Sequence, residues 1–201
     1  RNFSGEKIMR DSVKIGKRSD VLSIVQNYSS KEDLIVATTG YTGRELFALT
    51  DNSNQLYTVG SMGCASSISL GISLISKKNR VITLDGDGAV LMHMGSLPII
   101  GRSGCRNYLH IVFNNGVHDS VGGQPIVGRD ISLTQVAAAC GYSLSLVVSD
   151  PQALSNALGL ALRTPGPNFI EVIIDPGNRP DIGRPTSEPG DNKFLLMDAL
   201  S

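Results

Sequence analysis

Six compact apolar runs, each separated from the next by a helix-like stretch, constrain this chain more than any other feature. They are "DLIVATT", "QLYTVG", "RVITLDG", "NYLHIVFNN", "YSLSLVVS" and "NFIEVIID". Between them lie "GRELFAL", "CASSISLGISLIS", "AVLMHMGSLPIIG", "SLTQVAAACG" and "PQALSNALGLALR". Strands that are apolar at nearly every position have no face for water, so the sheet they form is covered on both sides. Parallel strands with crossover helices meet that need. The pattern predicts an α/β fold: three layers, α/β/α, around a six-stranded parallel sheet. The main domain is expected over residues 31–201. Residues 1–30 read as a polar-faced helical head or linker, and the Pro/Gly-rich stretch from Pro176 as a tail over the surface.

Composition narrows the function. The formal net charge is zero, and no basic stripe or arm points to nucleic acid. Trp is absent, which argues against base stacking. No apolar run approaches the roughly 18 residues of a membrane span, and the start lacks the apolar region of a secretion signal. Cys64, Cys105 and Cys140 are far apart and lack metal-ligand spacing. They read as reduced, partly buried thiols, and the chain is expected in the cytoplasm.

In such a sheet, ligands bind beyond the carboxyl ends of the strands. "TTGYTG", "GSMG", "GDG" and "NNGVHDSVGGQ" all occupy strand-to-helix turns. The most informative is Gly86-Asp87-Gly88, a carboxylate where a helix start would welcome an anion. Residues 89–113, one helix and one strand, then return the chain to the same edge at Asn114-Asn115-Gly116. A carboxylate and an amide oxygen brought together suit Mg²⁺ or Ca²⁺. With so few protein ligands, Mg²⁺ would complete its octahedron from phosphates. The glycines let backbone amides approach those phosphates, and the helix starting near Ala89 points its positive end at them.

This GDG…NN pattern resembles the diphosphate-binding motif of thiamine-diphosphate enzymes. The resemblance implies thiamine diphosphate and Mg²⁺ as cofactors, with Asp87, Asn115 and the backbone carbonyl of Val117 as metal ligands; Asn114 replaces Asn115 if the register slips by one. Gly60, Ser61 and Met62 resemble the family's turn beneath the cofactor. There the Gly carbonyl meets the aminopyrimidine, and the apolar third residue wedges under the thiazolium. Gly40, Tyr41 and Thr42 resemble the turn that touches the diphosphate, beside Gly86, Gly88 and Ala89. More finely, "TTGYTGREL", "GDGAVLMHMGSL", "NNGVHDSVGGQP" and "GRPTSEP" resemble the phosphonopyruvate decarboxylase family, with sulfopyruvate decarboxylase subunits as the nearest competitor. Ile126 departs from the former family's GGQPT loop.

The resemblance implies a small 2-oxo acid substrate that loses carbon dioxide, phosphonopyruvate giving phosphonoacetaldehyde. His118 either serves catalysis, by moving a proton or holding an anionic group, or is an ordinary loop histidine. Asp119, Ser120 and Gln124 share its loop, and Arg44 either binds an oxyanion or is a solvated first-turn residue. His93 and His110 read as packed, hydrogen-bonded residues. The Glu that the family places against the pyrimidine ring has no counterpart in a matching context, so a pyrimidine-binding domain or subunit is expected as partner in a homo- or hetero-oligomer. The chain is then a second subunit or the C-terminal piece of a longer protein, and inactive alone. Two further readings remain: a subunit of a 2-oxoacid:ferredoxin oxidoreductase, and a non-catalytic Mg²⁺/phosphate-binding assembly domain.

Overall fold

The computed structural model describes residues 16–76 and 79–200. Along the chain come α1 (Arg18–Tyr28), β1 (Leu34–Ala37), α2 (Tyr41–Leu49), β2 (Gln55–Tyr57), α3 (Ala65–Ile75), β3 (Val81–Gly86), α4 (Asp87–Met92), α5 (Ser96–Arg102), β4 (Tyr108–Asn114), β5 (Val117–His118), β6 (Gln124–Pro125), α6 (Leu133–Cys140), β7 (Leu144–Val148), α7 (Pro151–Ala161), β8 (Asn168–Ile173) and α8 (Pro189–Ala199). The six expected strands form one parallel sheet in the order β2-β1-β3-β4-β8-β7.

Alternation along a strand sends neighbouring side chains to opposite faces, and β1 makes both halves of the core. Ile35 and Ala37 join Val21, Leu22 and Val25 of α1, Leu46 of α2, and Leu154 and Leu158 of α7. Leu34 and Val36 face the other way, onto Ala65 and Ile72 of α3 and Leu196 of α8. Further along that second face, Leu97 and Ile100 of α5 meet Leu133 and Ala137 of α6. The result is the expected three layers. The chain runs outward from β1 to β2 and then crosses back to β3 on the other side of β1, so the topological switch point lies between β1 and β3. An open α/β sheet leaves its ligand crevice there, at the carboxyl ends of the strands.

Three local readings differ from the structure. The expected single helix from Ala89 is two, α4 and α5, broken at His93–Gly95. Pro98, read as near the end of that helix, sits in the first turn of the second, where its missing N–H costs nothing. Beyond the exposed stretch after Pro176, α8 packs on the sheet. Its Asn192 is buried and bridges edge strand β2, accepting from Tyr57 N–H at 2.9 Å and donating to the Gln55 carbonyl at 2.8 Å. The expected head falls partly on residues 1–15, which lie outside the described residues. Its described part, α1, contributes to the core of the same domain.

Candidate active site

The loops after β1, β2, β3 and β4 enclose one cavity of about 460 Å³. Every site residue expected from the sequence lines it: Gly40, Tyr41 and Thr42 after β1; Gly60, Ser61 and Met62 after β2; Gly86, Asp87, Gly88 and Ala89 around the start of α4; and Asn115, Val117 and His118 after β4. Asp119, Ser120 and Arg44 line it as well, whereas Gln124 does not. A second cavity of about 340 Å³ shares Thr38–Gly40, Arg44, Gly60 and Arg184 with the first and extends to Pro189.

Asp87 is the first residue of α4 and only 3% exposed. Its Oδ2 accepts the Gly116 N–H at 2.8 Å. Burial pushes its pKa up to about 6; N–H groups of Gly116, Gly88 and Asp87 itself, and the nearby His118, pull the other way without prevailing. Among the described residues no lysine or arginine pairs with it. The packing around it is close. A Cβ on Gly128 would stand 2.5 Å from Asp87 Oδ2, and one on Gly88 would stand 2.6 Å from His118 Cε1. Only glycine leaves room for the carboxylate and the imidazole at those two points. Met62 reaches the same spot, its Cε 3.2 Å from where that second Cβ would be. Ser61, just before it, holds a left-handed φ of 48°, which costs a non-glycine residue about 1–2 kcal/mol. Strain of this kind gathers at functional turns.

The two asparagines have different surroundings. Asn114 is buried in the sheet, its Nδ2 donating to the Gly128 carbonyl and to Glu171 Oε1, both at 2.7 Å. Asn115 lines the cavity; its Oδ1 accepts the Val117 N–H at 3.2 Å and its Nδ2 donates to Asp119 Oδ2 at 2.6 Å. Asp119 also pairs with Arg18, at 2.9 Å. Arg18 comes from α1 and, like Phe113, carried no motif in the sequence; Thr38, Val121 and Arg184 lie within the quoted stretches TTGYTG, NNGVHDSVGGQ and GRPTSEP but were not singled out, and all of these line the cavity. Arg18 and Arg44 stand 6.0 and 5.5 Å from the ring centre of Tyr41.

His110 is buried as expected, between Asp85 and Tyr142. His93 is not: it is exposed at the break between α4 and α5, with Cys64 Sγ 3.7 Å from its Nδ1. Helix α4 ends at Met92, one residue short of it. The three cysteines are free thiols.

A divalent cation fits this site on the chemistry of its donors. A buried carboxylate without a cationic partner lies with an amide oxygen and the backbone of residue 117 on one cavity wall, and these are hard oxygen donors. Among the described residues no cluster of three or more His, Cys, Asp or Glu forms a self-sufficient metal cage. A cation here therefore needs oxygens from its ligand.

The family model described as "Thiamine pyrophosphate enzyme, C-terminal TPP binding domain" matches residues 39–172. A phosphonopyruvate decarboxylase of Streptomyces viridochromogenes is 41% identical over 161 residues, 80% of this chain and 40% of that protein. The sulfopyruvate decarboxylase subunit beta of Methanococcus maripaludis is 34% identical over 183 residues, 91% of this chain and 97% of that subunit. Among solved structures, the Rhodococcus jostii RHA1 thiamine diphosphate-dependent 4-hydroxybenzoylformate decarboxylase superposes with a TM-score of 0.70 at 19% identity, over 84% of this chain and 34% of that one; this is a likeness of fold. The chain thus spans less than half the length of the phosphonopyruvate decarboxylase it matches.

Proposed function

Because the chain belongs to the thiamine pyrophosphate enzymes through their C-terminal TPP binding domain, we propose that it is the diphosphate-binding part of a 2-oxo acid decarboxylase that converts phosphonopyruvate to phosphonoacetaldehyde and carbon dioxide. The observation that carries this reading is the meeting of four strand-end loops around a buried carboxylate with which no lysine or arginine among the described residues pairs. Asp87, the Asn115 side chain and the Val117 carbonyl would hold Mg²⁺. Backbone groups of Gly40, Tyr41, Thr42, Gly86, Gly88 and Ala89 would face the diphosphate, helped by the α4 N-terminus. Thiamine diphosphate, when bound, supplies the electron sink for loss of carbon dioxide from a 2-oxo acid.

The chain's own residues prepare the site. Met62 would brace the cofactor from the turn after β2. His118, held over Gly88, would hold an anionic group or move a proton at an imidazole nitrogen. Met62 would also supply an apolar patch on the cavity wall. Residues 31–201 would form the diphosphate-binding domain, with 1–30 leading into it through α1. A pyrimidine-binding domain or subunit would close the other side and supply the carboxylic acid that this chain lacks in a matching context, in a homo- or hetero-oligomer. Among the described residues no helix is long and apolar enough to cross a membrane, and a cytoplasmic location is part of the proposal.

One observation favours a second reading. The M. maripaludis protein, named as a sulfopyruvate decarboxylase subunit, aligns along nearly its whole length. Carbon dioxide release by the assembled enzyme from each of the two substrates separates them. The first reading expects faster turnover of phosphonopyruvate; preference for sulfopyruvate establishes the second, and turnover of neither refutes both.

A further inference from the structure

We propose that Asp119 and Arg18 are positioning residues that determine which end of the Asn115 amide faces the cavity. The inference rests on the reading of Asn115 as a metal ligand. A carboxamide can present either an oxygen or an NH₂, and only the oxygen suits a cation. In this chain two contacts settle the choice. Asn115 Nδ2 donates to Asp119 Oδ2 at 2.6 Å, and Oδ1 accepts the Val117 N–H at 3.2 Å, leaving its second lone pair for the cavity. A flipped amide would set its oxygen against the carboxylate and its NH₂ against the Val117 N–H. Both contacts are repulsive, and Asn115 is only 6% exposed, so they carry a desolvation cost.

The carboxylate that enforces this is itself held by two further donors. Arg18 Nη2 donates to Asp119 Oδ2 at 2.9 Å, and the Gly177 N–H donates to both carboxylate oxygens at 3.1 and 3.0 Å. Arg18 is clamped in turn by Glu45 Oε1 at 3.0 Å and the Gly177 carbonyl at 3.2 Å. The guanidinium is 5% exposed and Asp119 12%. A planar fork reaching two carboxylates through different nitrogens is something arginine can do and lysine cannot. The chain thus spends a buried arginine from α1, an acid from α2 and a backbone turn after β8 on the orientation of one side chain.

The test is the Mg²⁺ dissociation constant of the assembled enzyme, titrated at saturating thiamine diphosphate, in Asp119→Ala, Asp119→Asn and Arg18→Met. Far-UV circular dichroism and the thermal midpoint accompany each titration. Loss of an outer partner of a metal ligand typically weakens the metal about 10–100-fold, and Asp119→Ala is expected in that range, with kcat recovering at high Mg²⁺. Asp119→Asn, which keeps an acceptor for the Asn115 amide, is expected to lose less, and Arg18→Met to weaken Mg²⁺ in the same direction. A folded Asp119→Ala enzyme with an unchanged Mg²⁺ constant overturns the proposal; should that variant fail to fold, an unchanged constant in Asp119→Asn and Arg18→Met does so. Asp87→Ala is the reference. If it too leaves Mg²⁺ binding unchanged, the metal-site reading falls; if it alone abolishes binding, only the positioning role does.

Discussion

Asp87 carries a carboxylate into a nearly closed place, and burial moves its pKa up to about 6. The sign of the consequence follows. The unfolded carboxyl titrates near 4, so between about pH 4 and 6 the folded chain binds more protons, and stability falls as pH rises through that window. Above it the full penalty remains until a cation is bound. Asp87→Asn keeps an acceptor for the Gly116 N–H and removes the charge. In EDTA near neutral pH it is expected to be more stable than wild type by about 1–3 kcal/mol, a difference that vanishes below about pH 4. Thermal unfolding of both proteins across that range checks it; equal stabilities at neutral pH would contradict it. Met62 makes a different claim. Met62→Ala is expected to lower turnover per bound cofactor more than it lowers cofactor affinity, because metal and diphosphate are proposed to anchor the other end. Turnover per bound cofactor at the wild-type level would reduce Met62 to a core residue.

The strands were legible because both of their faces are apolar: β1, β3 and β4 are buried along essentially their full length. Helix α8 was not legible for a matching reason. Phe194, Leu195, Leu196 and Met197 are consecutive, so they run around the helix instead of marking one side; only Leu196 of the four is buried, and the rest face out. Nor could the break between α4 and α5 be read from Pro98, since a proline serves a helix start as well as an end. The helix nevertheless matters to the edge of the sheet. Asn192 satisfies a donor and an acceptor on β2 that no neighbouring strand reaches. Asn192→Ala leaves both groups unpaired beneath α8, at a cost of roughly 1–3 kcal/mol. A lowered urea midpoint is the expected result, with cofactor affinity little changed since the cavity wall is untouched. An unaltered midpoint would mean that water replaces the amide there.

At the scale of the molecule, the site was legible wherever a residue directly follows a strand, since topology alone brings those turns together at the switch point between β1 and β3. Arg18 escaped because it pairs with Asp119 across 101 positions and sits in a helix without a motif. What the fold leaves open is the face above the cavity, where a pyrimidine-binding partner is proposed. The chain alone is therefore expected to release no carbon dioxide from phosphonopyruvate in the presence of thiamine diphosphate and Mg²⁺, and to do so once the partner is supplied; full activity without the partner would mean that the catalytic acid lies within this chain. The central claim is that the strand-end loops bind thiamine diphosphate through a cation on Asp87. Calorimetric titration of the assembled protein with thiamine diphosphate, in Mg²⁺ and in EDTA, for wild type and Asp87→Ala, tests it most directly. Saturable binding by wild type in Mg²⁺, lost in EDTA and in folded Asp87→Ala, is the result predicted. Equal affinity in EDTA, or in the folded variant, would contradict it.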